Sequence, residues 1–230
     1  MCGRFILRSM PEDVREFFRL LKTPDLSPRY NIAPTQPVAV IRQTEQDGAT
    51  NRELSPMHWG LIPSWAKDAK IGSRMMNARA ETVHEKPSYR AAFKKRRCLI
   101  PTDGFYEWKK LDEKNKQPYF IGMKGDGLFA LAGLWECWNG ADNTVIESCT
   151  IITTEANDFC REIHERMPVI LSPDNYDPWL NPKSNDTDFL RSLLVPFPSE
   201  EMSAFPVSKL VNSPRNDTPA CLEHFQHDNL

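Results

Sequence analysis

The sequence predicts an α+β domain whose core is a curled, mostly antiparallel, barrel-like sheet with short helices at its periphery. Three observations lead there. Segments rich in β-branched and aromatic residues recur at regular spacing and are broken by Gly, Asn or Asp, the pattern of strands and turns. The helical stretches are short and lie mostly at the margins of these segments. Nineteen prolines in 230 residues fix many turns and leave little room for long helices. No low-complexity linker, abrupt composition change or internal repeat divides the chain, so one domain over 1–230 is expected, with a core at about 2–216 and a polar tail at 217–230.

Ser9-Met10-Pro11-Glu12 reads as a capping box with proline in the first turn. Val14, Phe17, Phe18 and Leu21 follow at helical spacing, which predicts a short amphipathic helix. The stretch 24–37 is loop-like and contains Arg29-Tyr30-Asn31-Ile32-Ala33-Pro34. Strands are expected at 38–42, 57–61, 98–100, 107–110, 118–123, 128–138 and 145–154, then a helix at 155–163 and a strand at 167–171. Ser172-Pro173-Asp174 and 186–194 begin two more short helices, and from Asn212 the chain reads as irregular.

No run of 18 apolar residues exists, which argues against a transmembrane helix and a membrane partner. Arg4 and Arg8 interrupt the apolar start and no small-residue cleavage site follows, so the reading is cytoplasmic. Six cysteines (Cys2, Cys98, Cys137, Cys149, Cys160, Cys221) include no C-x-x-C, and no paired Cys/His ligands stand at short spacing. No metal or other cofactor is expected, and all but Cys2 read as reduced, buried thiols. The formal net charge of −2 argues against a generic polyanion binder, yet 67–110 holds twelve Lys/Arg against five Asp/Glu. From 172 onward the balance reverses, four against nine, so a local basic surface can bind phosphates within a near-neutral total. For the quartet Lys94–Arg97 a solvated helix end competes with that reading.

The chemistry begins at Met1-Cys2-Gly3-Arg4. A small second residue allows the initiator methionine to be removed, leaving cysteine first. Its α-amine then titrates near ~8, well below lysine's ~10.4, beside a thiol near ~8.5. An aldehyde meeting this pair forms a Schiff base, and the thiol closes a five-membered thiazolidine in an intramolecular step. Asn77-Ala78-Arg79 places an amide and a guanidinium two apart, on one face of an extended segment, where the arginine can grip a phosphate. Glu107, between Tyr106 and Trp108, is expected to have a raised pKa suited to acid–base work. His164, where a helix gives way to a strand, can donate a proton near neutral pH. Taken singly, each has an ordinary reading: a frayed terminus, a surface ion pair, a satisfied helix-end histidine.

Six motifs stand in order along the chain: Cys2-Gly3-Arg4-Phe5, Tyr30-Asn31-Ile32-Ala33-Pro34, Trp59-Gly60-Leu61-Ile62-Pro63-Ser64-Trp65, Asn77-Ala78-Arg79-Ala80-Glu81-Thr82, Gly104-Phe105-Tyr106-Glu107-Trp108-Lys109 and His164-Glu165-Arg166-Met167-Pro168. With them the chain resembles the SRAP family, the SOS-response-associated peptidase-like proteins, from Cys2 to about Asn216. The resemblance implies the SRAP fold and covalent cross-linking to abasic sites in single-stranded DNA, often at a junction with duplex, which shields the lesion. It implies Cys2 as nucleophile, Asn77 orienting Cys2 and the sugar, Glu107 shuttling protons and His164 assisting ring opening. Arg4, Pro34, Trp65 and Arg79 match positions near DNA backbone and bases, and Thr153 falls close to another phosphate contact. The protein would act as a monomer, at the nucleoid when bound to DNA. A Schiff base alone draws electrons and promotes β-elimination; closing the thiazolidine removes that sink. Among the tryptophans, Trp59 reads as core and Trp65 as the stacking candidate. Two other readings stay open: an N-terminal-nucleophile peptidase or amidase, with autocatalytic removal of Met1, and a non-covalent single-strand binder.

Overall fold

The computed structural model describes residues 2–46 and 49–225. In chain order its strands are β1 (Arg4–Leu7), β2 (Arg29–Ile32), β3 (Pro37–Gln46), β4 (Ala49–Trp59), β5 (Asn77–Arg79), β6 (Arg97–Thr102) and β7 (Gly104–Lys110). They continue with β8 (Lys116–Met123), β9 (Phe129–Asn139), β10 (Val145–Glu155), β11 (Arg166–Pro168), β12 (Ile170–Leu171) and β13 (Met202–Pro206). The helices are α1 (Pro11–Phe18), α2 (Arg90–Lys95), α3 (Asp158–Arg161), α4 (Tyr176–Leu180) and α5 (Thr187–Ser192), all short.

Strands β10, β4, β3, β6 and β9 follow one another in a single sheet, and β9 pairs back onto β10, so the sheet closes into a barrel-like ring. Closure removes edges that would otherwise offer unpaired backbone groups. A second, five-stranded sheet runs β13-β8-β7-β1-β2. Pairing is antiparallel except where β10 runs parallel to β4 and to β5. The expectation of an α+β fold on a curled, mostly antiparallel sheet with peripheral helices therefore holds. No helix among the described residues is long and apolar enough to cross a membrane.

The two sheets share one apolar core. Phe5 of β1 packs edge-to-face on Trp59 of β4, with ring centroids 5.1 Å apart, a geometry worth about 0.5–1.5 kcal/mol beyond area burial. Trp59 is fully buried, as expected, and its indole N–H donates to the Met76 carbonyl at 2.9 Å. Gly104, at the start of β7, lies under the Phe120 ring: a Cβ there would come within 2.2 Å of it. Only glycine lets β7 and β8 approach so closely at this point.

Several local expectations give way to tertiary contacts. Ser9 does not cap α1; Met10 holds the N-cap position and makes no side-chain cap bond. Instead the Ser9 hydroxyl and backbone N–H, with the Arg8 N–H, bond the Asp103 carboxylate and tie the turn after β1 to the strands of the second sheet. The helix expected at 155–163 shrinks to α3, because β10 continues to Glu155 and Asn157 then caps the helix by accepting from the Cys160 N–H at 2.8 Å. Of the Lys94–Arg97 quartet, Arg97 is neither solvated nor offered to a phosphate. It is 2% exposed and donates to the carbonyls of Phe93, Lys94, Trp179, Asn181 and Ser184, stapling the ends of α2 and α4.

The stretch from Asn212, expected to be irregular, holds a short helical turn at Pro219–Leu222 and, with the residues just before it, is fastened to the body of the fold. Val211 and Cys221 are fully buried, and Asp217 accepts from the Tyr30 and Asn31 N–H groups at 2.5 and 2.9 Å while pairing with Arg29. His224 stacks on Phe205 with ring centroids 3.9 Å apart. Met1 and His227 lie outside the described residues.

Candidate active site

Cys2 enters β1 fully buried. The Asn77 side-chain amide donates to the Cys2 carbonyl at 2.9 Å. Asn77 is placed for this by the parallel pairing of β5 on β10, with Asn77 opposite Ile151 and Arg79 opposite Thr153. The other end of the same amide, Oδ1, is buried with no hydrogen-bond partner among the described residues. Such an acceptor costs roughly 1–3 kcal/mol until a donor arrives, so it is suited to hold an ammonium or hydroxyl beside Cys2. Burial pushes the Cys2 thiol well above its ordinary range, and the neighbouring Glu107 pushes it further. The thiol therefore rests protonated, 4.0 Å from the Arg4 carbonyl.

Glu107 is 3% exposed, and burial pushes its carboxyl up while His164 opposes the shift. The direction matches expectation; the cause does not. In a strand, neighbours point to opposite faces, so Tyr106 and Trp108 face away from Glu107. Tyr106 joins a separate cluster with Ile6, Phe120 and Val207, whereas Phe105, on the Glu107 face, joins the main core with Cys2 and Phe5. The interior between the sheets, not the flanking aromatic rings, desolvates this carboxyl. Glu107 also reaches Cys160, whose thiol is raised by burial first and by Glu107 second.

His164 follows α3, its N–H on the Cys160 carbonyl at 2.9 Å. Its Nδ1 lies 3.0 Å from the Arg166 backbone nitrogen and 3.2 Å from the Arg166 carbonyl oxygen, so it accepts from the first when Nε2 carries the proton and donates to the second when Nδ1 does. Amide, carboxylate and imidazole thus gather around the Cys2 end of β1 from three distant stretches of chain.

The other positions fare differently. Arg79 is exposed and makes no ion pair among the described residues. The nearby Glu81 pairs instead with Arg166, through Nη1 at 2.6 Å and Nη2 at 3.1 Å. Trp65 is 58% exposed on a loop closed by Ala66 N–H to the Pro63 carbonyl and held by the Trp138 indole on the Ala66 carbonyl at 2.7 Å. Pro34 is half-buried in the loop before β3, beside Thr35 at φ +70°. Arg4 is half-buried: Nη1 donates to Asn31 Oδ1 at 3.1 Å and to the Val211 carbonyl at 2.7 Å. Thr153 is fully buried, its hydroxyl on the Ala78 carbonyl at 3.4 Å and its own carbonyl accepting from Arg166. Sequence reasoning missed Arg166, which stood inside the histidine motif, and Asp217, for which no sequence signal existed.

A closed sheet joined to a second one, with a buried cysteine just before an inner strand beside an amide, a carboxylate and an imidazole, defines the class of fold and site. The chain belongs to the SRAP family: the family model described as SOS response associated peptidase (SRAP) matches residues 1–214. It is 50% identical over 226 residues to the abasic site processing protein YoqW of Bacillus subtilis (strain 168), covering 97% of this chain and 99% of that one. The abasic site processing protein HMCES of Xenopus tropicalis is 32% identical over 265 residues, covering 96% of this chain and 78% of its own. A crystal structure of a protein from Bacteroides thetaiotaomicron superposes with a TM-score of 0.85 at 28% identity, covering 98% of this chain and all of that one.

Proposed function

We propose that this chain, as a single-domain monomer from which Met1 has been removed, captures abasic sites in single-stranded DNA through Cys2 and shields them as a stable adduct. The observation that carries this reading is the grip of Asn77 on Cys2 at 2.9 Å, with Glu107 and His164 gathered at the same point. The relatives named abasic site processing proteins support the substrate.

In this reading the His164 Nε2–H protonates the ring oxygen and opens the deoxyribose to its aldehyde. The Cys2 α-amine adds to the aldehyde carbon, and Glu107 moves the protons that let one water leave as the imine forms. The Cys2 sulfur then adds to the imine carbon, and its proton ends on the nitrogen. The net change is aldehyde plus aminothiol giving thiazolidine plus one water. Arg79 and Trp65, both exposed, serve the backbone and a base of the strand.

Abasic and intact single-stranded oligonucleotides, incubated with the protein and run on a denaturing gel, test it. A band that survives denaturation only with the lesion, and is lost in Cys2→Ala, is expected. A heat-stable adduct from Cys2→Ala would remove the thiazolidine, and complexes only under native conditions would leave a non-covalent binder.

A further inference from the structure

The lysines that close the second sheet have no part in the chemistry above. Strand β1 is antiparallel to β7, with Arg4 opposite Tyr106 and Phe5 opposite Phe105. Cys2 therefore enters the sheet from the end at which β7 leaves toward Lys110 and β8 begins at Lys116. Lys110 and Lys116 stand directly opposite each other, and Trp108 stands opposite Pro118. By alternation all of these side chains share the face turned away from Glu107, where Tyr106 and Phe120 pack under Val207, Val211 and Cys221 and only the Trp108–Lys116 end reaches solvent. Like charges facing across a strand pair are destabilising unless an anion lies between them.

On that face Trp108, Lys114, Asn115, Lys116, Lys209 and Asn212 line a groove of about 420 Å³. None of Lys110, Lys114, Lys116 and Lys209 forms an ion pair among the described residues, and all are exposed. Of the two hairpin acids, Asp112 accepts from the Lys114 and Asn115 N–H groups at 2.8 Å and from the Asn115 amide, and Glu113 is exposed and forms no ion pair among the described residues. The Trp108 ring is fixed by its N–H on Asn212 Oδ1 at 2.7 Å, with the Arg4 guanidinium 5.9 Å from its centroid. A rigid, half-exposed indole among unpaired lysines is the composition of a single-strand platform, stacking for bases and charge for phosphates.

We infer that this groove is a track for the strand on one side of the captured nucleotide, with phosphates on Lys114, Lys116 and Lys209 and a base on Trp108. The inference rests on the function proposed above and names where its substrate continues. It is tested with a lesion-free single-stranded oligonucleotide, so that it can fail while cross-linking stands. In Lys114→Gln/Lys116→Gln/Lys209→Gln the slope of log affinity against log salt should flatten by about 2, at roughly 0.7 per phosphate contact. The equivalent change at Lys22, Lys124 and Lys183, away from the groove, should leave the slope as in the parent. With abasic oligonucleotides trimmed on one flank or the other, the triple variant should lose its defect for one trimming only. An unchanged slope, or a defect equal for both trimmings and for the remote variant, overturns the track.

Discussion

The closed ring and the N-terminal strand hold their chains by different forces. In the ring, Val40, Ile41, Leu99, Ile100, Leu131, Leu134 and Ile151 are all fully buried, and apolar packing fills the interior. Around β1 and β2, apolar burial of Phe5, Ile6, Leu7 and Ile32 is joined by a dense polar fastening. Arg4 reaches Asn31 and the Val211 carbonyl, the Asn31 amide reaches the carbonyls of Val211, Ser213 and Asn216, and Asp217 takes two N–H groups of β2. Burial is proportional to area and has no direction, whereas hydrogen bonds fix orientation. The region that must aim Cys2 at its partners is the one fastened by directional bonds.

The largest expected effect lies at the site. Glu107→Gln keeps shape and removes acid–base capacity, so the rate of adduct formation should fall by about 10²–10⁴ at unchanged single-strand affinity. Time courses on abasic oligonucleotides measure it; a smaller loss would mean that Glu107 serves the fold. The ring comes next. Leu131→Ala should cost about 2–5 kcal/mol in urea unfolding, while the surviving folded protein still forms adduct at the parent rate. If the rate per folded molecule fell as well, ring and site would not be separable.

Asp217→Ala should reverse that balance. Stability should drop by about 1–3 kcal/mol for each of the two orphaned N–H groups, and adduct formation should slow because Arg4 and β1 lose their alignment. Equal effects on both would place the strap with the ring. The smallest effect is one of pH. Burial raises the folded pKa of Glu107 above its ordinary 4.5, so the folded state holds this proton more tightly than the unfolded chain. Stability from this group is present below pH 4.5 and declines as pH rises through the raised value, and Glu107→Gln should flatten that decline in a series of melts.

Much of this was legible in the residues. Apolar and aromatic runs marked most strands, because alternation and turn residues act within a few positions. Trp59 and Trp65 were sorted correctly into core and surface by their neighbours. Strands β1, β2 and β13 were not legible: each is short, and β2 and β13 sit among prolines and polar residues where only a partner strand makes them extended.

The sequence by itself determined the chemical inventory: the thiol of Cys2, the amide of Asn77, the carboxylate of Glu107 and the imidazole of His164, each set in a recognisable motif. Tertiary structure alone decided what these groups face. It turned Glu107 toward the main core and its aromatic neighbours toward a second cluster, buried Thr153 and Arg97, and made a strap of the chain beyond Lys209. The reason is range. Propensity and periodicity act between near neighbours, whereas the Asn77 bond to Cys2 spans 75 residues and the Arg4 bond to Val211 spans 207, distances across which only the pairing of sheets brings groups together.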